Sequence, residues 1–351
     1  MNILDITHGR STYHIQLTHS LLFESALGIA AITYPDIHPT LGKTTLYWEE
    51  ILAGLSEELR SELDTCQRHN TWKTLLQFLH QGNFADIHSF VTYIQSLSEQ
   101  QLRYYALPYI GTAFQEIRQK ASEGDSEAIG VMTEHCRDHK FFADYIPYVS
   151  QVDANLLRTH LINLISGWYN EFLSAQEAII HGMLKRDLDQ KQRMLNSLSP
   201  EEFVTWATGG FVYLPEPTVT RVLLIPHYIY RPWTIQAEME GTKILYYPIS
   251  DESLDVHQDP YHPPLTLVQR YKALGDETRL RLIKLLYEKD RTLNELTDLV
   301  DSAKSTIHHH LTMLKSAYIV EGKGNSYRLN RSSLSLMGHE LTHFLDQENV
   351  L

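Results

Sequence analysis

From residue 265 onward the chain sets out its segments in an order that few folds accept. "LVQRYKALGDETRLRLIKLLYEK" (267–289) reads as a helix, a break at Gly275, and a second helix capped by Asp276 with Leu280, Ile283 and Leu286/Tyr287 as its apolar stripe. "TLNELTDLV" is a short third helix and "DSAKSTIHHHLTMLKSA" a fourth. "YIVEGKGNSYRLN" is a hairpin, because Gly322-Lys323-Gly324-Asn325 tolerates positive φ between two strand-like runs. "SSLSLMGHELTHFLDQ" closes as an amphipathic helix. Helix, helix, short helix, turn, helix and hairpin in that order make a winged helix-turn-helix.

The fourth helix carries His308, His309 and His310 in succession. At about 100° per residue they fan over roughly 200° of the surface, so one metal ion cannot bind all three. Ile307, Leu311 and Leu314 recur at i, i+4 and i+7 and define a buried stripe, with His310 on its edge as a packing residue. His308 and His309 project on the other side with Ser305, Thr312 and Ser316, and Lys304 sits near the N-terminus. A helix entering the major groove needs such a face, with short donors and acceptors for base edges and cations for phosphates. Lys304, Ser305, Thr306, His308, His309 and Thr312 are therefore the candidate DNA contacts. Lys323 and Arg328 in the wing would hold phosphate or the minor groove, while Arg279 and Arg281 would brace the domain. Protonation of His308 and His309 near the ordinary value of about 6.5 would add positive charge toward DNA.

Charge is distributed unevenly. The chain of 351 residues carries a net −13, but residues 265–351 hold 12 Lys+Arg against 11 Asp+Glu, leaving 18 against 32 for residues 1–264. Residues 302–331 have 5 cations against Glu321 alone. A positive stripe on an acidic body docks on phosphates with modest, salt-sensitive affinity.

Upstream, "STYHIQL" alternates as a short strand, and a long helical stretch follows. "SPEEFVTWATGG" starts with Ser199 as cap, Pro200 in the first turn and Glu202 closing a capping box. "TVTRVLLIP", "WTIQAEM" and "TKILYYPI" read as a small antiparallel sheet. "SDESLDVHQDPYHPP", with three prolines, reads as a linker. The expected architecture is mainly α with small antiparallel β elements: a helical N-terminal domain with a small sheet over residues 1–250, a linker at 251–264, and a winged helix-turn-helix over 265–351. No apolar run approaches the 18 or so residues of a membrane span, and "MNILDITHGR" lacks a signal-peptide pattern, so a cytoplasmic location is expected. Cys66 and Cys136 suit a reducing compartment.

"ALGDETRLRLIKLL", "TLNELTDLV", "AKSTIHHHLTMLKSAYIV" and the Gly-rich hairpin together resemble the ArsR family of bacterial transcriptional repressors over about 80 residues. The resemblance implies a homodimer that places one recognition helix per subunit in adjacent major grooves of a double-stranded operator, and release by an effector, here a small molecule of unknown identity. "RVLLIPHYIYRPW" and "KILYYPIS" look similar to the long N-terminal extension of a subgroup of ArsR-like regulators. That extension would carry dimer contacts or an effector pocket; Trp206, Tyr213 and Trp233 could line one, but aromatic residues are more often core, so no pocket is assigned. Metal-sensing members carry Cys-x-Cys on the short third helix; "NELTDLVD" has none, so metal sensing there is excluded and no cofactor is expected.

Three rival readings were weighed. "HELTH" (339–343) spells the zinc-protease motif, but only eight residues follow it, too few for a helix bearing a third ligand, so an enzyme is not expected. His339, His343 and Asp346 align as a zinc set on the last helix, yet lie opposite its apolar stripe of Leu334, Met337, Leu341 and Leu345, which is the expected dimer seam. "CQRH" and "CRDH" pair cysteine with histidine three on, but 70 residues apart. The functional alternative is a protein-interaction module, which would gain if His308 and His309 faced an acidic surface of the N-terminal domain.

Overall fold

The computed structural model describes residues 13–254, 261 and 263–345. Its first helix, α1 (Leu21–Ile32), is apolar on nearly every side, and all its residues but Leu21 are buried. A helix without a polar face belongs at the centre of a domain. Its one acid, Glu24, accepts the backbone N–H groups of Tyr228 and Ile229 at 2.9 and 2.7 Å, which offsets the cost of burying it.

Around α1 pack α2 (Thr45–Gly54), α3 (Glu57–His69), α4 (Trp72–Leu79), α5 (Ile87–Ser96), α6 (Glu99–Ala106), α7 (Gln115–Ser122), α8 (Ser126–His135), α9 (Phe142–Gln151), α10 (Ala154–Trp168) and α11 (Glu177–Met194), while α12 (Pro200–Ala207) contributes to a separate cluster. Between α10 and α11 the helical stretch is interrupted by a π turn at Tyr169–Leu173 and a 3-10 turn at Ser174–Gln176. The expected capping box at Ser199 and Glu202 is present, and Gly209 follows α12 with φ +71.

The sheet differs from expectation. Its order is β1 (His14–Leu17), β2 (Arg221–His227), β4 (Thr242–Pro248), β3 (Ile235–Met239), and only the β3–β4 hairpin is antiparallel; β1–β2 and β2–β4 are parallel. The physical sign was the run of buried residues along β4, which is closed off on both faces as parallel strands are. Ile244 and Tyr246 face the α1 core, while Leu245 and Tyr247 face a second cluster with Tyr13, Phe203 and Val204.

The C-terminal unit has its own core, built from α13 (Leu265–Leu274), α14 (Glu277–Glu288), α15 (Leu293–Val300), α16 (Lys304–Ser316), α17 (Arg331–Leu345) and a sheet of order β5 (Arg291–Thr292), β7 (Ser326–Leu329), β6 (Val320–Lys323). In α14 the buried residues are Leu282 and Leu286, with Ile283 and Leu285 against them. Leu280 and Tyr287, expected inside, are 51% and 52% exposed, and Tyr287 lies under the Arg331 guanidinium, 4.2 Å from its ring centre. Arg279 braces the α13 end by donating to the Ala273 and Lys272 carbonyls, whereas Arg281 is exposed. Of the α17 stripe, Leu334 and Met337 pack inward and Leu345 is exposed.

Of the linker expected at 251–264, residues 255–260 and 262 lie outside the described residues, and Ser250 and Ser253 are held by the Asp187 carboxylate of α11. Polar contacts join the units. Arg270 donates to the Gly209 carbonyl at 3.1 Å, and the Tyr318 hydroxyl meets Thr234 and Pro232. No described helix is long and apolar enough to cross a membrane.

Candidate nucleic-acid interface

α15 begins with a capping box in which Thr292 and Glu295 satisfy each other's backbone N–H groups. It ends at Asp301, whose φ of +54 turns the chain toward α16. No side chain caps α16, since Ala303 holds the cap position. Its first backbone N–H groups and the positive end of its dipole are therefore available to an anion.

Ile307, Leu311 and Leu314 are fully buried, as their spacing predicts. Lys304, Ser305, Thr306, His308 and His309 are exposed together on the opposite side. Thr312 is half-buried and donates to the His308 carbonyl at 2.9 Å, leaving its oxygen able to accept. His310 is half-buried with its Nδ1 3.7 Å from Asp276, a packing position. Ser316 departs from expectation: it is buried and donates to the Met313 carbonyl, because the last turn of α16 runs into the domain core.

The sequence match follows this geometry. The bacterial regulatory protein, arsR family, matches residues 276–321, from the cap of α14 to the first wing strand. An HTH-type transcriptional regulator of Methanocaldococcus jannaschii, itself uncharacterised, is 42% identical over 62 residues, covering 16% of this chain and 70% of that protein. The transcriptional repressor SdpR of Bacillus subtilis is 28% identical over 81 residues, 22% of this chain and 90% of its own length. The chain belongs to the ArsR family. DNA-binding transcription regulation is the function that this membership carries. No solved structure matches the chain.

In this ArsR-family protein the N-terminal domain adds a group that no local sequence signal marks. Lys140, exposed and seated over the Tyr34 ring at 4.2 Å, acts on His308 across 168 positions of sequence. Burial, Lys140, Lys315 and His309 together hold the His308 imidazole below the usual histidine range. The proton uptake expected near the ordinary value is thereby displaced to lower pH. The charges that act on His308, from Lys140, Lys315 and His309, are basic.

The wing turns at Gly324, φ +57. The Lys323 side chain lies outside the described residues. Arg328 is already occupied: its Nε and Nη2 donate to Asp290 at 3.0 and 2.8 Å, tying β7 to the turn after α14. A phosphate would have to compete with that carboxylate.

The His339 and His343 side chains and Asp346 lie outside the described residues. Among the described residues no group of three or more His, Cys, Asp or Glu could hold a metal ion. His69 and His139, the histidines of the two Cys–His pairs, stack on Tyr148 and Phe142 at 3.7 and 3.9 Å, while Cys66 and Cys136 are buried.

Proposed function

We propose that this protein is a sequence-specific transcriptional regulator, acting as a repressor, in which a homodimer lays the N-terminal half of α16 from each subunit into adjacent major grooves of a pseudo-palindromic operator. The observation that carries this reading is the joint exposure of Lys304, Ser305, Thr306, His308 and His309 at an uncapped helix N-terminus, with Lys140 of the other domain beside them. Short polar groups on that face suit base edges, and Lys304 and Lys140 suit phosphates. Repression is argued from the name of the Bacillus subtilis relative. The two-fold arrangement is argued from the usual docking of this motif. A cytoplasmic location and a small-molecule effector belong to the same reading.

The test is selection of genomic DNA fragments by the purified full chain at fixed salt, repeated with Lys304→Ala and His309→Ala. Enrichment of a pseudo-palindrome that both variants lose is the expected result. Equal enrichment by wild type and variants, or none at low salt, would sink the assignment of this face.

A further inference from the structure

The N-terminal domain contains a half-open cleft of about 510 Å³ between α4, the end of α8, the start of α9 and the β3–β4 hairpin. A second hollow of about 250 Å³ shares Trp72, Lys73, His139, Ile235 and Gln236 with it, so the two meet at Lys73. Trp206, Tyr213 and Trp233, the aromatic residues considered for a pocket, line neither.

Lys73 is the anomaly in this wall. Its ammonium sits 4.5 to 4.9 Å from the ring centres of Trp72, Phe141 and Phe142, and burial alone pushes its pKa down to about 7. Among the described residues no carboxylate acts on it. Of the other charged groups in the wall, Glu238 binds Lys243 at 2.7 Å, and His80, hydrogen-bonded to the Tyr246 hydroxyl, is kept neutral by burial; Asp138 and His139 also line the cleft, and the Lys73 charge helps hold the His139 imidazole low. An amine confined among aromatic faces without a counter-ion leaves an electrostatic demand that an anion meets, and the apolar walls demand a hydrophobic body.

We propose that this cleft binds a small amphipathic carboxylate, its anionic group on Lys73 and its apolar part against Leu76, Ile110 and Phe142, and that occupancy is relayed to α16. Two connections carry the relay. The turn that supplies His139 to the cleft also supplies Lys140, the cation beside His308. Ile235 and Gln236 of β3 follow directly on Thr234, which is bonded to Tyr318 at the end of α16. The relay rests on the DNA-binding reading; the ligand site does not.

The experiment uses the full chain without DNA, titrated with 4-phenylbutyrate and with its neutral analogue 4-phenylbutan-1-ol, followed by calorimetry and tryptophan fluorescence. Expected are one acid bound per chain, tighter than the alcohol, and a loss of roughly tenfold or more in acid affinity for Lys73→Met with alcohol binding unchanged. Ile110→Trp, which fills the half-exposed rim, abolishes both, and this variant with the wild-type acid-to-alcohol ratio decides the matter if Lys73→Met does not fold. Absence of saturable acid binding, equal affinity for acid and alcohol, or an unaffected Lys73→Met overturns the site. Repeating the DNA titration with saturating acid tests the relay: a changed affinity in wild type, absent in Lys73→Met, supports it, and an unchanged one overturns it. A chain that binds acid but no DNA overturns the regulator reading and the relay while leaving the site standing.

Discussion

The hydroxyl oxygens of Thr234 and Tyr318 lie 2.7 Å apart, joining the loop before β3 to the residue two positions past α16. Tyr318 holds a φ of +55, unusual for a bulky residue, and its hydroxyl also donates to the Pro232 carbonyl at 3.2 Å. The recognition helix is thereby anchored to the N-terminal sheet through one side chain. Tyr318→Phe leaves both partners unsatisfied in a half-buried place and is expected to cost about 1–2 kcal/mol. Urea unfolding of Tyr318→Phe, Thr234→Val and the double variant checks this; additivity within about 0.3 kcal/mol would mean the two do not interact.

On the exposed face of α16, a lysine and a histidine should fail differently. Lys304→Ala is expected to weaken binding to every sequence alike and to lower the salt-dependence slope by about 1, because it deletes one phosphate neutralisation. His309→Ala should instead relax preference at one base pair, at a cost of about 1–3 kcal/mol there and little elsewhere. Anisotropy titrations on the selected operator and its single-base variants separate the two. A His309→Ala profile that falls uniformly would place this residue on the backbone instead.

Arg328, expected to hold phosphate or the minor groove, has its guanidinium on Asp290 and is about half exposed, so the pair's worth to folding is small. Arg328→Ala and Asp290→Ala should have similar, non-additive effects on stability and similar effects on DNA affinity, since each loosens the same wing. If Asp290→Ala tightened DNA binding while Arg328→Ala weakened it, the guanidinium would be a phosphate contact restrained by its carboxylate.

Much of the C-terminal domain was legible because its signals are local. Asp276 announces a helix start, and Ile307, Leu311 and Leu314 announce the buried side of α16. What escaped depends on distance. Nothing near Lys140 indicates that it will stand beside His308, and nothing near Arg328 indicates that Asp290 will claim it. The antiparallel reading failed at β2 and β4, which pair in parallel because β3 lies on the far side of β4 rather than between them, an order that no local pattern records. The cleft at Lys73 was invisible for the same reason, its walls coming from α4, α8, α9 and β3.

Gly28 gives a packing test of the helical core. A Cβ built there would lie 2.8 Å from the Trp168 ring, too close for any side chain. Gly28→Ala gains helix propensity, yet is expected to destabilise by about 1–3 kcal/mol because a fully buried indole has nowhere to move. Chemical denaturation measures the balance. Unchanged or increased stability would show that the core around Trp168 yields.

His308 makes the pH dependence of DNA binding specific. In the free protein its imidazole is held below the ordinary histidine range, first by burial and then by Lys140, Lys315 and His309. Phosphates of bound DNA favour the charged form, so the bound value is the higher of the two and binding takes up a proton. The sign follows: affinity rises as pH falls through the bound value, and because the free value is depressed, the rise continues below the ordinary 6.5 before it levels off. Lys140→Ala removes one of the depressing charges and should make the rise level off at a higher pH, while also losing a phosphate contact at every pH. His308→Gln should flatten this part of the profile. Titrations from about pH 5 to 8 at constant ionic strength distinguish these cases. A His308→Gln protein whose affinity climbs with acid as steeply as wild type would show that the proton binds elsewhere, and a levelling-off unmoved in Lys140→Ala would show that Lys140 does not set the charge of His308.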